Sequence, residues 1–166
     1  METFLEKQRF NQSWLWIPFA TTILIVGIIT VTTQSADKHW AERYLGLLIL
    51  IPVALLLGLT TLETKINEEA IFIRFIPFIN SWKAFKWEEI EKAYVRKYKP
   101  LTEYGGWGVK GFSRKNLAYN VSGDIGLQLE LKNGKKVLIG SNKKQRLEEY
   151  LQYLKKKYAI NAIVVD

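Results

Sequence analysis

Between Phe10 and Ala36, and again between Tyr44 and Leu62, this 166-residue chain carries no Asp, Glu, Lys or Arg. Those two stretches constrain its fold more than any other feature. Residues 14–33 (WLWIPFATTILIVGIITVTT) and 44–62 (YLGLLILIPVALLLGLTTL) are each long enough, at ~1.5 Å rise per residue, for a helix to cross a ~30 Å hydrocarbon core. A helix satisfies its own backbone polar groups there, and Leu, Ile and Val suit the surroundings. As a buried hairpin of a soluble protein the pair would need cover on every side, which residues 63–166 are too few to give. A cleavable leader does not fit the first run: its apolar part is too long, Glu2 and Glu6 sit among the N-terminal basic residues, and a second run follows directly. Residues 1–62 therefore read as a tail and a two-helix transmembrane hairpin. Trp14, Trp16, Trp40 and Tyr44 fall at the ends of the spans, where amphipathic rings favour the headgroup layer.

The charge is segregated. Residues 1–62 balance, and the net charge of +8 lies in residues 63–166. Lys7 and Arg9 precede the first span and Lys65, Arg74 and Lys83 follow the second, against Lys38 and Arg43 in the loop 34–43. This bias favours both termini on the cytoplasmic side. Neither span contains an ionisable residue, so the hairpin reads as an anchor rather than an ion or proton pathway.

Beyond Leu62 the periodicity shortens. TKINEEAIFIRF suggests two strands joined at Asn67–Glu69, and residues 82–87 and 90–98 suggest two more. GLQLELKNGKKVLIG is a hairpin in which Asn133-Gly134 forms a two-residue turn, setting Leu129 opposite Leu138 and Glu130 opposite Val137. Residues 143–158 switch to helical spacing, with Leu147, Tyr150, Leu151, Leu154 and Tyr158 on one stripe, and Asn142 with Gln145 suggests a capping box. Residues 63–166 thus predict an α+β domain, a small barrel or sandwich closed by a C-terminal helix.

The succession INEEAIFIRF, KWEEIEKAYVRKY and GLQLELKNGKKVLIGSNKKQRLEEYL resembles bacterial pleckstrin-homology-like domains, over roughly residues 60–155. It is similar in particular to membrane proteins of unassigned activity that share a segment like EYGGWGVKGF followed by AYNVSG. The resemblance implies a pleckstrin-homology-like small β-barrel capped by its C-terminal helix and a multi-pass setting in a bacterial cytoplasmic (inner) membrane. It implies no activity.

Within that frame, Tyr104, Gly105, Gly106, Trp107, Gly108, Lys110 and Arg114 form a candidate binding loop, a flat ring among glycines with cations beside it. The alternative is a glycine-bulged strand whose Trp packs on the domain. FIRFIPFINSWKAF is apolar on both strand faces, Ile71, Ile73 and Phe75 on one and Phe72 and Ile76 on the other, and so needs a second cover. Phe78, Ile79, Trp82 and Lys83 are candidates for contact with the membrane interface. Zero Cys and a single His, His39 in the loop between the spans, leave no thiol chemistry or histidine acid–base set, and no nucleotide fingerprint occurs. The expectation is a membrane-anchored binding or assembly module without catalysis or cofactor, whose partners are the bilayer, anionic lipid headgroups, and a protein partner or second copy. The alternative is an accessory subunit of a membrane-bound enzyme. Nucleic-acid binding, suggested by basic residues among aromatics, is set aside because acidic residues are interspersed throughout.

Overall fold

The computed structural model describes residues 3–32, 40–113 and 115–165. The chain divides into two units, residues 10–60 and residues 1–9 together with 61–166.

The first unit holds helices α1 (Ser13–Thr32) and α2 (Trp40–Leu59). Among the described residues α1 is the helix long and apolar enough to cross a membrane, and the apolar part of α2, Tyr44–Leu59, is shorter. Both expose what a soluble core helix would bury, including Ile17, Leu24, Ile28 and Val31 on α1 and Leu48, Ile49 and Leu55 on α2. The helices lie against each other through small residues. A Cβ on Gly46 would come 2.9 Å from Val26 Cγ1, and one on Gly58 would come 3.5 Å from the Trp16 ring. Pairing 16 with 58 and 26 with 46 is the pattern of antiparallel helices whose backbones approach where side chains are absent. The second apolar run was expected to remain helical to Leu62. It stops at Leu59, Thr60 N donating back to the Leu56 and Leu57 carbonyls, and Thr61 already belongs to a strand.

In the second unit, the N-terminal segment expected to be a tail is a strand. β1 (Phe4–Arg9) pairs antiparallel with β2 (Thr61–Ile66), Phe4 opposite Ile66 and Arg9 opposite Thr61. β3 (Ala70–Ile76) and β4 (Ile79–Lys86) complete a four-stranded antiparallel sheet in the order β1-β2-β3-β4. Its inner face carries Phe4, Leu62, Ile66, Ile71, Ile73, Phe75 and Phe85, all buried. The β2–β3 turn forms where expected, because Asn67 Oδ1 accepts from the Glu69 and Ala70 amides. The strand expected at 82–87 starts earlier, at Ile79, and Trp87 falls in a short 3-10 turn where its Nε1 donates to the Asn67 carbonyl.

The remaining strands are β5 (Ile90–Lys97), β6 (Gly108–Ser113), β7 (Asn116–Asn120), β8 (Ile125–Leu131) and β9 (Lys136–Gly140). They form a second sheet, β5-β8-β9-β7-β6, in which only β7 and β9 run parallel. The two sheets are not closed into the expected barrel, since among the described residues no ladder joins them. Along the β1 edge, side chains do the joining: Gln8 Nε2 donates to the Gly140 carbonyl at 2.7 Å, and the Glu6 carboxylate accepts from Ser141 Oγ and the Asn142 amide.

The β8–β9 hairpin is present but shifted by one residue from the expected register, with Leu129 opposite Val137 and Glu130 opposite Lys136. Gly134 N closes a turn on the Leu131 carbonyl, and Gly134 itself takes φ 77°. The loop is therefore the three-residue kind, in which one left-handed glycine follows the turn, rather than the two-residue kind that needs two. Gln128 is buried although it alternates with Leu127 and Leu129, because the second face of this sheet is also covered.

Helix α4 (Lys144–Tyr158) buries Leu147, Leu151 and Leu154. The expected capping box is absent. The N-cap is Lys143 without a side-chain bond, and Asn142 pairs with Ser122 instead. The apolar tail adds beside β5, with Ala93 N donating to the Ala162 carbonyl and Val164 N to the Ala93 carbonyl.

Candidate functional site

The segment 99–111 folds as a clasp over one end of the five-stranded sheet. Pro100–Tyr104 is a short helix, α3, ended by Gly105 in the left-handed conformation. Glu103 fastens it, accepting from Arg96 Nη2 at 2.7 Å and from the Lys99 amide at 2.7 Å. The Arg96 bond holds the Glu103 carboxyl below the usual carboxylate range. Arg96 also donates to Gln128 Oε1 and to the Tyr104 hydroxyl, so a buried glutamine, a buried tyrosine and a partly buried cation satisfy one another.

Tyr104 was expected to be a contact residue of a binding loop. It is 2% exposed and packs in a cluster with Tyr98, Ala118 and Leu138, so its ring serves the core. Trp107 is half-buried, with Nε1 donating to the Gly123 carbonyl at 3.2 Å. Gly108 N donates to Asn120 Oδ1, and Asn120 Nδ2 to the Tyr98 hydroxyl. The loop keeps Gly105 and Lys110 on its exposed side, while Gly106 is buried and Gly108 half-buried. Arg114 and His39 lie outside the described residues, as does the side chain of Trp40.

Burial pushes the Tyr98 hydroxyl up to about 12 from its ordinary 10.0. The folded domain thus favours the neutral phenol, and this contribution is complete below pH 10 and lost as pH rises toward about 12. Urea denaturation across that range is expected to show falling stability. Tyr98→Phe should flatten the slope while lowering stability at neutral pH, because Asn120 Nδ2 then loses its acceptor. An unchanged slope in the variant would assign the alkaline loss to other groups.

The candidate membrane-interface residues fall into two groups. In the helical unit, Trp14 and Tyr44 are exposed, and Trp16 is half-buried with Nε1 donating to the Phe10 carbonyl at 2.6 Å. In the β unit, Phe78 and Trp82 are exposed at 61% and 43%. Thr61 pairs with both Arg9 and Ile76, so the Pro77–Phe78 turn lies at the same end of the four-stranded sheet as Arg9 and Thr61. On the outer face, Lys7 and Arg74 share the Glu63 carboxylate, and the Arg74 guanidinium stacks 4.7 Å from the Trp82 ring. Burial works against ionised Glu63, but its bonds to Arg74 and Lys7 outweigh it and hold the group below its ordinary value. Lys83 is exposed on the edge strand and donates to the Tyr119 hydroxyl at 3.0 Å.

Sequence reasoning missed Arg9 and Glu63 because their significance lies in the β1–β2 ladder, and β1 lay in a segment read as a tail. Among the described residues no group of three or more acidic or histidine side chains is arranged to hold a metal ion. No protein-family model matches the chain, and no curated protein matches it. Fold and geometry together define a mixed α+β protein with a candidate membrane span near its N-terminus.

Proposed function

We propose that this chain is a two-pass membrane protein that holds a basic β domain at the membrane surface as a binding or assembly module. One observation carries the reading, the pairing of β1 with β2 on either side of the helical segment. A hydrogen-bonded ladder lies on one side of a bilayer, so the connection Phe10–Thr60 crosses it an even number of times. With α1 as one crossing, α2 is the return. Over its full 20 residues α2 measures about 30 Å, the thickness of the hydrocarbon core. Removal of α1 as a leader would take β1 out of the sheet, which argues against that role.

The concentration of net positive charge in residues 63–166 supports a cytoplasmic location for the β domain. The order of an antiparallel sheet, a second sheet and a terminal amphipathic helix supports a pleckstrin-homology-like origin and, with it, a bacterial cytoplasmic membrane. The unclosed sheets depart from that pattern.

Single cysteines introduced into the cysteine-free chain test the topology. In sealed vesicles of defined orientation, Leu5→Cys and Asn133→Cys are expected to react with an impermeant maleimide from one side and His39→Cys from the other. Reaction of all three from the same side would overturn the two-crossing reading.

A further inference from the structure

Resting on the two-crossing reading, we propose that the end of the four-stranded sheet formed by Arg9, Thr61 and the Pro77–Phe78 turn docks on the bilayer, with Phe78 entering the boundary between anionic headgroups and acyl chains. The tethers are short. Only Phe10–Gln12 separate β1 from α1, and Thr60 alone, about 4 Å of chain, separates α2 from β2. A sheet held by two strands on such tethers keeps that end at the membrane. The register then brings Phe78 to the same end, and its ring is more than half exposed although it is among the largest apolar side chains. Ile79 beside it is half-buried, and Trp82, further along the edge strand, is exposed.

Charge is arranged to suit anionic headgroups. Arg9 is exposed at the last position of β1. Two residues back along the strands, about 7 Å away, Lys7 and Arg74 share the single carboxylate of Glu63 and leave a positive excess. Aromatic rings at the acyl boundary with cations behind them match the preferences of the two layers. Docking of this kind fixes the orientation of the domain, so the Gly105–Trp107 clasp and the β4 edge are presented in a constant attitude to whatever approaches along the membrane.

The test uses the full chain in equimolar phosphatidylglycerol and phosphatidylcholine vesicles, with spin labels at Phe78→Cys, Leu24→Cys and Asn133→Cys in separate samples. Asn133 lies in the β8–β9 turn and Leu24 within α1. Phe78→Cys is expected to be several-fold more accessible to lipid-soluble oxygen than to a polar nickel complex, as Leu24→Cys is, with Asn133→Cys showing the reverse preference. The exposed position of Phe78 makes this substitution compatible with folding. If Leu24→Cys is lipid-accessible but Phe78→Cys behaves like Asn133→Cys, the docking inference is wrong and the membrane anchor stands. If Leu24→Cys is itself water-accessible, the two-crossing reading fails and the inference falls with it.

Discussion

A chain in which residues 10–60 are replaced by Asn-Gly is expected to fold into the complete β unit, whereas residues 63–166 alone should not fold. Arg9 and Thr61 are the terminal pair of the β1–β2 ladder, so a two-residue turn suffices to join them. The shorter fragment lacks all of β1 and the first two residues of β2. It loses Phe4 and Leu62, 2% and 0% exposed, worth about 1.5–3 kcal/mol each in burial alone. It also loses the Glu6 carboxylate that receives Ser141 and Asn142 before α4, and the Gln8 bond to Gly140. Against a typical domain stability of about 5–15 kcal/mol, these losses together are decisive. Urea denaturation followed by circular dichroism should give a cooperative transition for the joined chain and none for the fragment. Equal midpoints for the two would mean that β1 is dispensable.

Within the glycine-rich clasp, Gly111 and Gly106 are expected to respond very differently to alanine. A Cβ on Gly111 would lie 2.2 Å from the Asn116 carbonyl oxygen and 3.2 Å from Leu117 Cα, both backbone atoms of β7, which its pairing with β9 holds in place. Gly111→Ala should therefore cost about 3 kcal/mol or more, at the upper end of single-residue effects. At Gly106 nothing lies within 4 Å of the added Cβ, and only the positive φ of 122° opposes it, for a cost of about 1–2 kcal/mol. Measured on the joined chain, the difference in urea midpoint separates steric exclusion from backbone strain. Equal losses at the two positions would remove the steric account.

The β8–β9 hairpin illustrates what was legible and what was not. Alternating leucines and Asn133-Gly134 locate two strands and a turn from sequence alone, since both signals are local. The register depends on which turn geometry the flanking strands accept, and a single left-handed residue at Gly134 shifts every pairing by one. Alternation of Gln128 with Leu127 and Leu129 marks two strand faces but not whether the second is covered. The partners of Gln128 there are Arg96 of β5 and Tyr104 of the clasp, both donating to its side-chain carbonyl oxygen. The capping box at Asn142 failed for a related reason, because the carboxylate that serves this turn comes from Glu6, far away in sequence.

By itself, the sequence determined an apolar helical segment near the N-terminus, a β-rich basic remainder, the β2–β3 and β8–β9 turns and a terminal amphipathic helix. Each follows from hydrophobic period or turn chemistry within a short window. Only the tertiary structure decided that residues 4–9 belong to the β unit, that two sheets form without closing, and that Phe78 shares a sheet end with Arg9 and Thr61. The first of these rests on hydrogen bonds between strands separated by the whole helical segment, and the others on pairings that no short window specifies. A six-residue strand such as FLEKQR gains its stability from the neighbour it finds rather than from its own composition.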